Sequence, residues 1–117
     1  MAEVVVQKLM KEVKTEVEVG IKYYSLLSAL NDLKLSKKQI ELLAFTAVRG
    51  TITPLPAKQE FVKMFRSSIH SLENIKGKLV KRGLIIKDGD MYRVNPVIAL
   101  DFSKDLILKI RIGRKEE

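Results

Sequence analysis

The sequence predicts one α+β domain, because three local patterns of different kinds follow one another along its 117 residues. Residues 12–19 alternate between two faces, residues 36–50 carry a helical capping pattern with an apolar stripe, and Asp88-Gly89 separates two strand-like runs. We therefore expect an additional N-terminal strand and helix, a core of three helices and a β-hairpin, and a C-terminal strand.

Composition limits the chemistry that the chain can support. It has no cysteine and one histidine, His70, which excludes disulfides, thiolate zinc sites and a His-rich metal site. The serines that could pair with His70 have the spacing of helix-start residues, and no glycine-rich phosphate loop occurs. No apolar run approaches the roughly 20 residues that span a bilayer. We expect a cytoplasmic protein that is not an enzyme and has no cofactor, metal or membrane partner.

The net charge of +8 arises in one part of the chain. Residues 1–35 hold five basic and five acidic residues, whereas residues 36–117 hold 17 basic and nine acidic ones. Within residues 58–87 alone, eight Lys or Arg stand against two Glu. This local excess is typical of a surface that binds a polyanion, and it is equally compatible with a solubilising surface.

The N-terminal third is predicted to contain a strand and then a helix. The alternation over 12–19 puts three valines and a threonine on one face, as in a half-buried strand, and Gly20 ends it. Residues 4–11 either extend this strand or form a separate one. Over 22–34 the apolar residues recur with a helical period, which predicts a surface helix.

The next helix is predicted over 35–50 from both of its ends. Ser36 followed three residues later by Gln39 matches a capping box, in which each residue satisfies a backbone N–H of the other. Gly50 stands where a helix would stop.

Two further helices and a hairpin complete the predicted core. Pro56 fits the first turn of a helix over about 57–65. Residues 66–68 interrupt the helical pattern, and a second helix continues to Arg82. The runs LIIK and MYRV on either side of Asp88-Gly89 predict a β-hairpin, which Asn95-Pro96 ends.

A final strand is predicted over 105–112, where isoleucine and leucine alternate with charged residues. Its polar face is basic, whereas the polar face of the strand over 12–19 is acidic, so the two are predicted to pair within one chain or between two. We accordingly expect a homodimer that forms through the terminal strands and the helix over 22–34.

Three stretches of the chain resemble the winged helix–turn–helix superfamily. They are SKKQIELLAF, EFVKMFRSSIHSLENIKGKLVKRGLI and KDGDMYRVNP. The run LVKRGLI over 79–85 is similar to the hinge by which many such domains pass from the recognition helix into the wing. The turn RSSIHS departs from the usual small-residue and glycine spacing, so we place the start of the recognition helix between 68 and 71. The resemblance covers residues 36–96, with 1–35 as an N-terminal extension and 97–117 as a C-terminal strand and tail.

The resemblance implies a non-catalytic protein that binds double-stranded DNA, most directly a transcriptional regulator of a small prokaryotic or bacteriophage type. Such a protein would place the helix over 68–82 in the major groove. Two alternatives are open. One is a phage structural or adaptor protein, found in the virion, that uses the same core to assemble with phage or host proteins. The other is a replication initiator.

Candidate DNA-binding residues lie on the outer face of the helix over 68–82. Asn74 could bond an adenine edge or simply be solvated, and Lys78 and Lys81 are placed to meet phosphates. Ser71 is either a phosphate contact or, as we favour, the N-cap of the helix. Gly77 either lets the helix backbone approach the groove or has no function. In both cases a glycine within a helix costs about 1 kcal/mol of stability against alanine.

The predicted hairpin adds candidates at its tip. Lys87 and Arg93 flank the turn and could contact the DNA backbone or the minor groove, whereas Asp88 and Asp90 are unfavourable near phosphate. This acidic tip suggests a wing that is used weakly or for protein contact. The full set of predicted DNA-binding residues is Ser71, Asn74, Gly77, Lys78, Lys81, Arg82, Lys87 and Arg93.

Overall fold

The computed structural model of the protein describes residues 2–103, and it describes side chains from residue 14 onward. Four helices precede one antiparallel hairpin, so the described chain is α+β, as predicted. The elements are α1 (Ala2–Leu30), α2 (Lys37–Arg49), α3 (Leu55–Phe65), α4 (Ile69–Lys81), β1 (Ile85–Asp88) and β2 (Met91–Val94).

The prediction of an N-terminal strand over 12–19, with its suggested extension toward the start of the chain, is wrong, because these residues are helical within α1. From residue 14 onward, the buried positions of α1 are Val17, Gly20, Tyr24 and Ser28, which recur every three or four residues. Two of the four are glycine and serine. The buried face of α1 is therefore not marked by large apolar residues alone. The alternation of valines over 12–19 was the clearer pattern in the sequence, and it predicted a strand.

The helix predicted over 22–34 is correct as far as Leu30, where α1 ends. Beyond it, Ser28 accepts a bond from the backbone N–H of Leu33 at its carbonyl (2.9 Å) and one from that of Leu35 at its hydroxyl (3.0 Å). The predicted pairing of terminal strands is wrong for the N-terminal partner, which is helical. The predicted strand over 105–112 lies outside the described residues.

Helix α2 has the predicted capping box. The hydroxyl of Ser36 accepts from the backbone N–H of Gln39 at 3.2 Å, and the Gln39 amide oxygen accepts from the Ser36 N–H at 2.8 Å. Gly50 follows the helix with a φ of 87°, the left-handed conformation that glycine adopts without strain. Helix α3 begins two residues earlier than predicted, and it has Pro56 in its first turn.

The hairpin forms where it was predicted, with Ile85 opposite Val94 and Asp88 opposite Met91. A short segment after α2 runs along the other side of β2. The backbone N–H of Ile52 donates to the Tyr92 carbonyl at 3.2 Å, and the Tyr92 N–H donates to the Thr53 hydroxyl at 2.6 Å. This segment fixes the hairpin against the helical part of the fold.

The core lies between the four helices and the inner face of the hairpin. Its buried side chains come from every element and from the loops, so hydrophobic burial joins helices and hairpin into one unit. After the hairpin the chain returns to α1, where the Tyr24 hydroxyl donates to the Ile98 carbonyl at 2.8 Å. The largest fully buried side chains include Tyr24, Leu42, Leu43, Phe45, Ile52, Phe61, Leu72, Leu79 and Ile85.

Within residues 2–103, no helix is both long enough and apolar enough to cross a membrane.

Candidate nucleic-acid interface

Helix α4 carries most of the predicted DNA-binding residues and has one buried and one exposed side. Leu72, Ile75 and Leu79 are buried in the core, and α4 packs on α2, α3 and β1. These contacts hold the helix by one face, so the opposite face is directed outward.

The N-cap of α4 is Ser68, so the prediction that Ser71 caps this helix is wrong. The Ser68 hydroxyl accepts from the backbone N–H of Ser71 at 3.1 Å, and Ser68 has the extended backbone of a cap residue. Both candidates are serines near the start of the helical pattern. The sequence alone does not distinguish them, because the choice depends on the residue at which the turn after α3 ends. The Ser71 side chain is half-buried in the first turn of α4.

The outward face of α4 presents His70, Asn74, Lys78 and Lys81 to solvent. Among the described side chains, no carboxylate lies within ion-pair distance of either lysine ammonium. Both lysines belong to the last turn, where a cation also interacts favourably with the helix dipole. The structure therefore brings the predicted readers and cations together on one open surface.

Gly77 lies on this face without a packing reason. A Cβ added to it would meet no atom within 4 Å outside its own helical turns. The cost of a glycine inside a helix, about 1 kcal/mol against alanine, is thus offset by no contact within the fold.

The two predicted arginines already have partners within the chain. One guanidinium nitrogen of Arg82 donates to the Leu33 carbonyl at 2.7 Å, beside the turn that follows α1. Arg93 donates to the Gly50 carbonyl at 3.3 Å, and its Nε lies 3.6 Å from a carboxylate oxygen of Asp88. Both arginines are exposed, but a phosphate would have to compete with these contacts.

Glu73 is the centre of an ionic cluster that sequence reasoning missed. One of its carboxylate oxygens lies 2.7 Å from the Lys58 ammonium, and the other lies 2.8 Å from the Lys76 ammonium. Hydrogen bonds from Lys58 and then Lys76 lower the pKa of this carboxyl below its ordinary value. The Lys76 ammonium also lies 4.4 Å from the centre of the Tyr92 ring. The cluster therefore ties α4 to both α3 and β2.

Ion pairs reduce the number of basic residues over 58–87 that are free to bind a polyanion. Lys58 and Lys76 pair with Glu73, and Glu60, the other acidic residue of 58–87, pairs with Arg49. Six of the eight basic residues in this range consequently have no carboxylate partner among the side chains described: Lys63, Arg66, Lys78, Lys81, Arg82 and Lys87.

The sequence contained only part of the signal for this cluster. Glu73 and Lys76 are three residues apart on a predicted helix, a spacing at which side chains meet. Lys58 and Tyr92 are remote in sequence, and only the packing of α3 and β2 against α4 brings them close.

Neither a metal site among the described residues nor a similar known protein points to another function. In the part of the chain that is described, no group of three or more His, Cys, Asp or Glu side chains could hold a metal ion. Comparison of the chain with protein-family models, with curated proteins and with solved structures finds no match. The geometry of the chain itself is thus the basis for a functional interpretation.

Proposed function

We propose that the protein is a duplex DNA-binding protein, and that α4 enters the major groove as the recognition helix of a winged helix–turn–helix domain over residues 36–96. One observation carries this proposal. Asn74, Lys78 and Lys81 are exposed on one face of α4 with the half-buried Gly77 among them, and the two lysines have no ion-pair partner among the described side chains. Phosphate contacts from lysines position a protein on DNA, and an amide side chain can read a base edge.

The order of elements supports the proposed domain. Helices α2, α3 and α4 come first and the hairpin β1–β2 follows, with the segment 51–53 along β2. In such a domain the hairpin is the wing. The 13-residue α4 is about 20 Å long, and the major groove is wide enough to admit an α-helix.

The hairpin contributes less to the proposed interface than α4 does. Its turn exposes Asp88 and Asp90, whose charges repel phosphate. The Arg93 guanidinium already forms an ion pair with Asp88 and donates a hydrogen bond to a backbone carbonyl. Lys87 is the hairpin's exposed cation without such a partner among the described side chains, so it is the wing residue that we assign to a DNA contact.

The test is binding to duplex DNA over a salt series, because each neutralised phosphate steepens the dependence of affinity on salt. We expect wild-type protein to bind, and to weaken steeply as salt rises. The double variant Lys78→Ala/Lys81→Ala should reduce the slope of log K against log salt by roughly 1.8, since each phosphate that a lysine neutralises adds about 0.9 to that slope.

The matched control removes the same charge elsewhere. Lys14 and Lys22 are exposed on α1, so Lys14→Ala/Lys22→Ala lowers the net charge equally without changing α4. The control should leave most of the slope in place. Equal effects of the two double variants would show that general charge, and not α4, carries the binding. Absence of wild-type binding to any duplex at about 50 mM salt would contradict the proposal.

A second candidate function, protein–protein assembly as a phage structural or adaptor protein, is favoured by a different surface. An open groove of about 190 Å³ lies between α1 and α3. Its lining is mostly apolar, with two charged residues of α1 beside the apolar side chains: Lys14, Val17, Glu18, Ile21, Met64 and Phe65. An apolar groove of this kind can accept a side chain from another protein molecule.

Light scattering in the absence of DNA tests this second candidate. An assembly larger than a monomer would support it, provided that Met64→Glu dissociates the assembly and Gln59→Glu, on the exposed side of α3, does not. The Gln59 variant adds the same charge to the same helix and so serves as the control. A monomer over the whole concentration range would remove self-assembly through this groove as a function.

A further inference from the structure

We infer that His70 and Asn74 form an adenine-reading pair, in which Asn74 bonds the base and His70 holds the Asn74 amide in the orientation that adenine requires. This inference rests on the proposed function, since it names what the same surface recognises. It assigns a role to His70, which is not among the residues predicted from the sequence to bind DNA.

The pair is defined by one contact on the outward face of α4. The side-chain nitrogen of Asn74 lies 3.3 Å from Nε2 of His70, one helical turn earlier, and both residues are exposed. An amide nitrogen donates and does not accept, so in this hydrogen bond Nε2 of His70 is the acceptor. The hydrogen bond links two side chains at the four-residue spacing that puts them on one face.

This contact leaves the asparagine amide with the functional groups that an adenine needs. An asparagine amide has two N–H donors and one oxygen acceptor. One N–H of Asn74 bonds His70, which leaves a second N–H and the oxygen. Adenine presents the N7 acceptor and the N6 amino donor side by side in the major groove, so one donor and one acceptor of the amide match it.

The Asn74 amide itself disfavours guanine, and its contact with His70 fixes which way the amide faces an adenine. Guanine presents two acceptors, N7 and O6, to the major groove. The free oxygen of the Asn74 amide would face an acceptor there. Rotating the amide by half a turn does not improve the match to guanine, because the oxygen then faces the other acceptor. Toward adenine, the same rotation would set the amide oxygen against N7 and would direct it at the lone pair of His70 Nε2. His70 is therefore a positioning residue that makes the wrong orientation of Asn74 unfavourable.

The surroundings of the pair leave room for a base. Gly77 follows Asn74 by three residues on the outward side and carries no side chain, and a Cβ there would meet no atom within 4 Å apart from its chain neighbours and the backbone of its own helix. The cations of this face, Lys78 and Lys81, follow toward the end of the helix. The exposed face thus begins with the His70–Asn74 pair and ends with two cations suited to phosphates.

The experiment begins with selection of wild-type ligands from a randomised duplex library, followed by affinity measurements on the selected site. We expect an adenine at one position of that site. Replacing it by guanine, or by 7-deazaadenine, which lacks the N7 acceptor, should weaken wild-type binding about tenfold, the usual worth of a good bidentate contact.

Variants of the pair separate reading from positioning. Asn74→Ala should abolish the preference for adenine, and His70→Ala should weaken it by less. His70→Gln should keep it, because a glutamine oxygen can accept the Asn74 N–H in place of Nε2. None of these variants should change the salt slope, because neither residue contacts phosphate as a cation.

The outcomes distinguish failure of the inference from failure of the proposed function. A wild-type protein that binds no duplex overturns both. Salt-dependent binding without an adenine preference, or a preference that survives Asn74→Ala, overturns the inference and leaves the proposed function in place. A preference that His70→Ala does not change overturns the positioning role of His70.

Discussion

Gly20 of α1 lies directly against Ala44 of α2. A Cβ added to Gly20 would come within 3.0 Å of the Ala44 Cβ and within 3.3 Å of the Phe102 ring. Ala44 is fully buried. The two smallest side-chain types therefore meet where the helices cross, and their size sets how closely α1 approaches the core. A glycine here costs about 1 kcal/mol of helix propensity, and the close approach offsets it.

The first prediction follows from this contact. Gly20→Leu should lower the free energy of unfolding by about 1–2 kcal/mol, because overpacking costs about 1–3 kcal/mol and removal of a helical glycine returns under 1 kcal/mol. Denaturant unfolding measures the loss. Ser25→Leu, at an exposed position of the same helix, is the control and should be nearly neutral. Equal stability of the Gly20 variant and the wild type would show that α1 does not pack closely on α2.

Gly20 also explains where reading the N-terminal sequence failed. A glycine after alternating valines is typical of a strand that ends, and that pattern predicted a strand over 12–19. In the structure the same glycine is a contact position of a helix, and Ser28 is buried further along the same helix. The signal for burial at these two positions is their small size. That signal acquires a meaning only when the partner helix is known.

Local rules predicted both ends of α2 and the turn of the hairpin. The capping box of Ser36 and Gln39, the stop at Gly50 and the hairpin at Asp88-Gly89 are each set by interactions within a few residues, and each is confirmed. Long-range contacts were beyond such rules. The bonds between the segment 51–53 and Tyr92 join residues about 40 positions apart, as the sequence separations of 39 and 41 show.

The candidate site was predictable for a related reason. The outward face of α4 follows from helical periodicity alone, so the exposure of Asn74, Lys78 and Lys81 agrees with the sequence pattern. The partners of Arg82 and Arg93 include carbonyl groups of distant loops, which carry no signature in the sequence. The sequence therefore identified the candidate cations, and only the fold shows which of them already have partners within the chain.

A second prediction concerns Gly77. Gly77→Ala should raise the free energy of unfolding by about 0.5–1 kcal/mol, because alanine favours the helix and its methyl group meets no neighbour. If α4 lies in the groove as proposed, the same variant should bind duplex DNA more weakly, because the methyl group separates the backbone from the base edges. Thermal unfolding and a binding titration measure the two effects. Unchanged affinity together with the gain in stability would show that this glycine has no role in binding.

A third prediction compares two serines at the start of α4. Ser68→Ala should cost about 1 kcal/mol of stability, because it removes the hydroxyl that accepts the N–H of Ser71. Ser71→Ala keeps that backbone donor and its acceptor, so it is the matched control and should cost much less. Denaturant unfolding of both variants decides between them. A larger loss for the Ser71 variant would place the start of the helix elsewhere.

The fourth prediction concerns the pH dependence that Glu73 adds to stability. Bonds from Lys58 and Lys76 lower the pKa of its carboxyl in the folded protein from the ordinary value of 4.5. A carboxyl with a lowered pKa stabilises the folded state above its unfolded-state pKa, and the effect is lost as pH falls through the folded-state value. The contribution of Glu73 should therefore be complete at pH 7 and should decline below about pH 4.5.

Glu73→Gln isolates this contribution. We expect the variant to be less stable than the wild type by about 0.5–1 kcal/mol at pH 7, since about a third of the Glu73 side chain is exposed and solvent screens the pairs. The difference should shrink toward zero as denaturant unfolding is repeated below pH 4.5. Glu18→Gln, at an exposed carboxylate of α1 without an ion pair among the described side chains, is the control and should change stability at pH 7 by less than Glu73→Gln does. A Glu73 difference that stays constant down to about pH 3 would mean that packing of the side chain, and not its charge, ties α4 to α3 and β2.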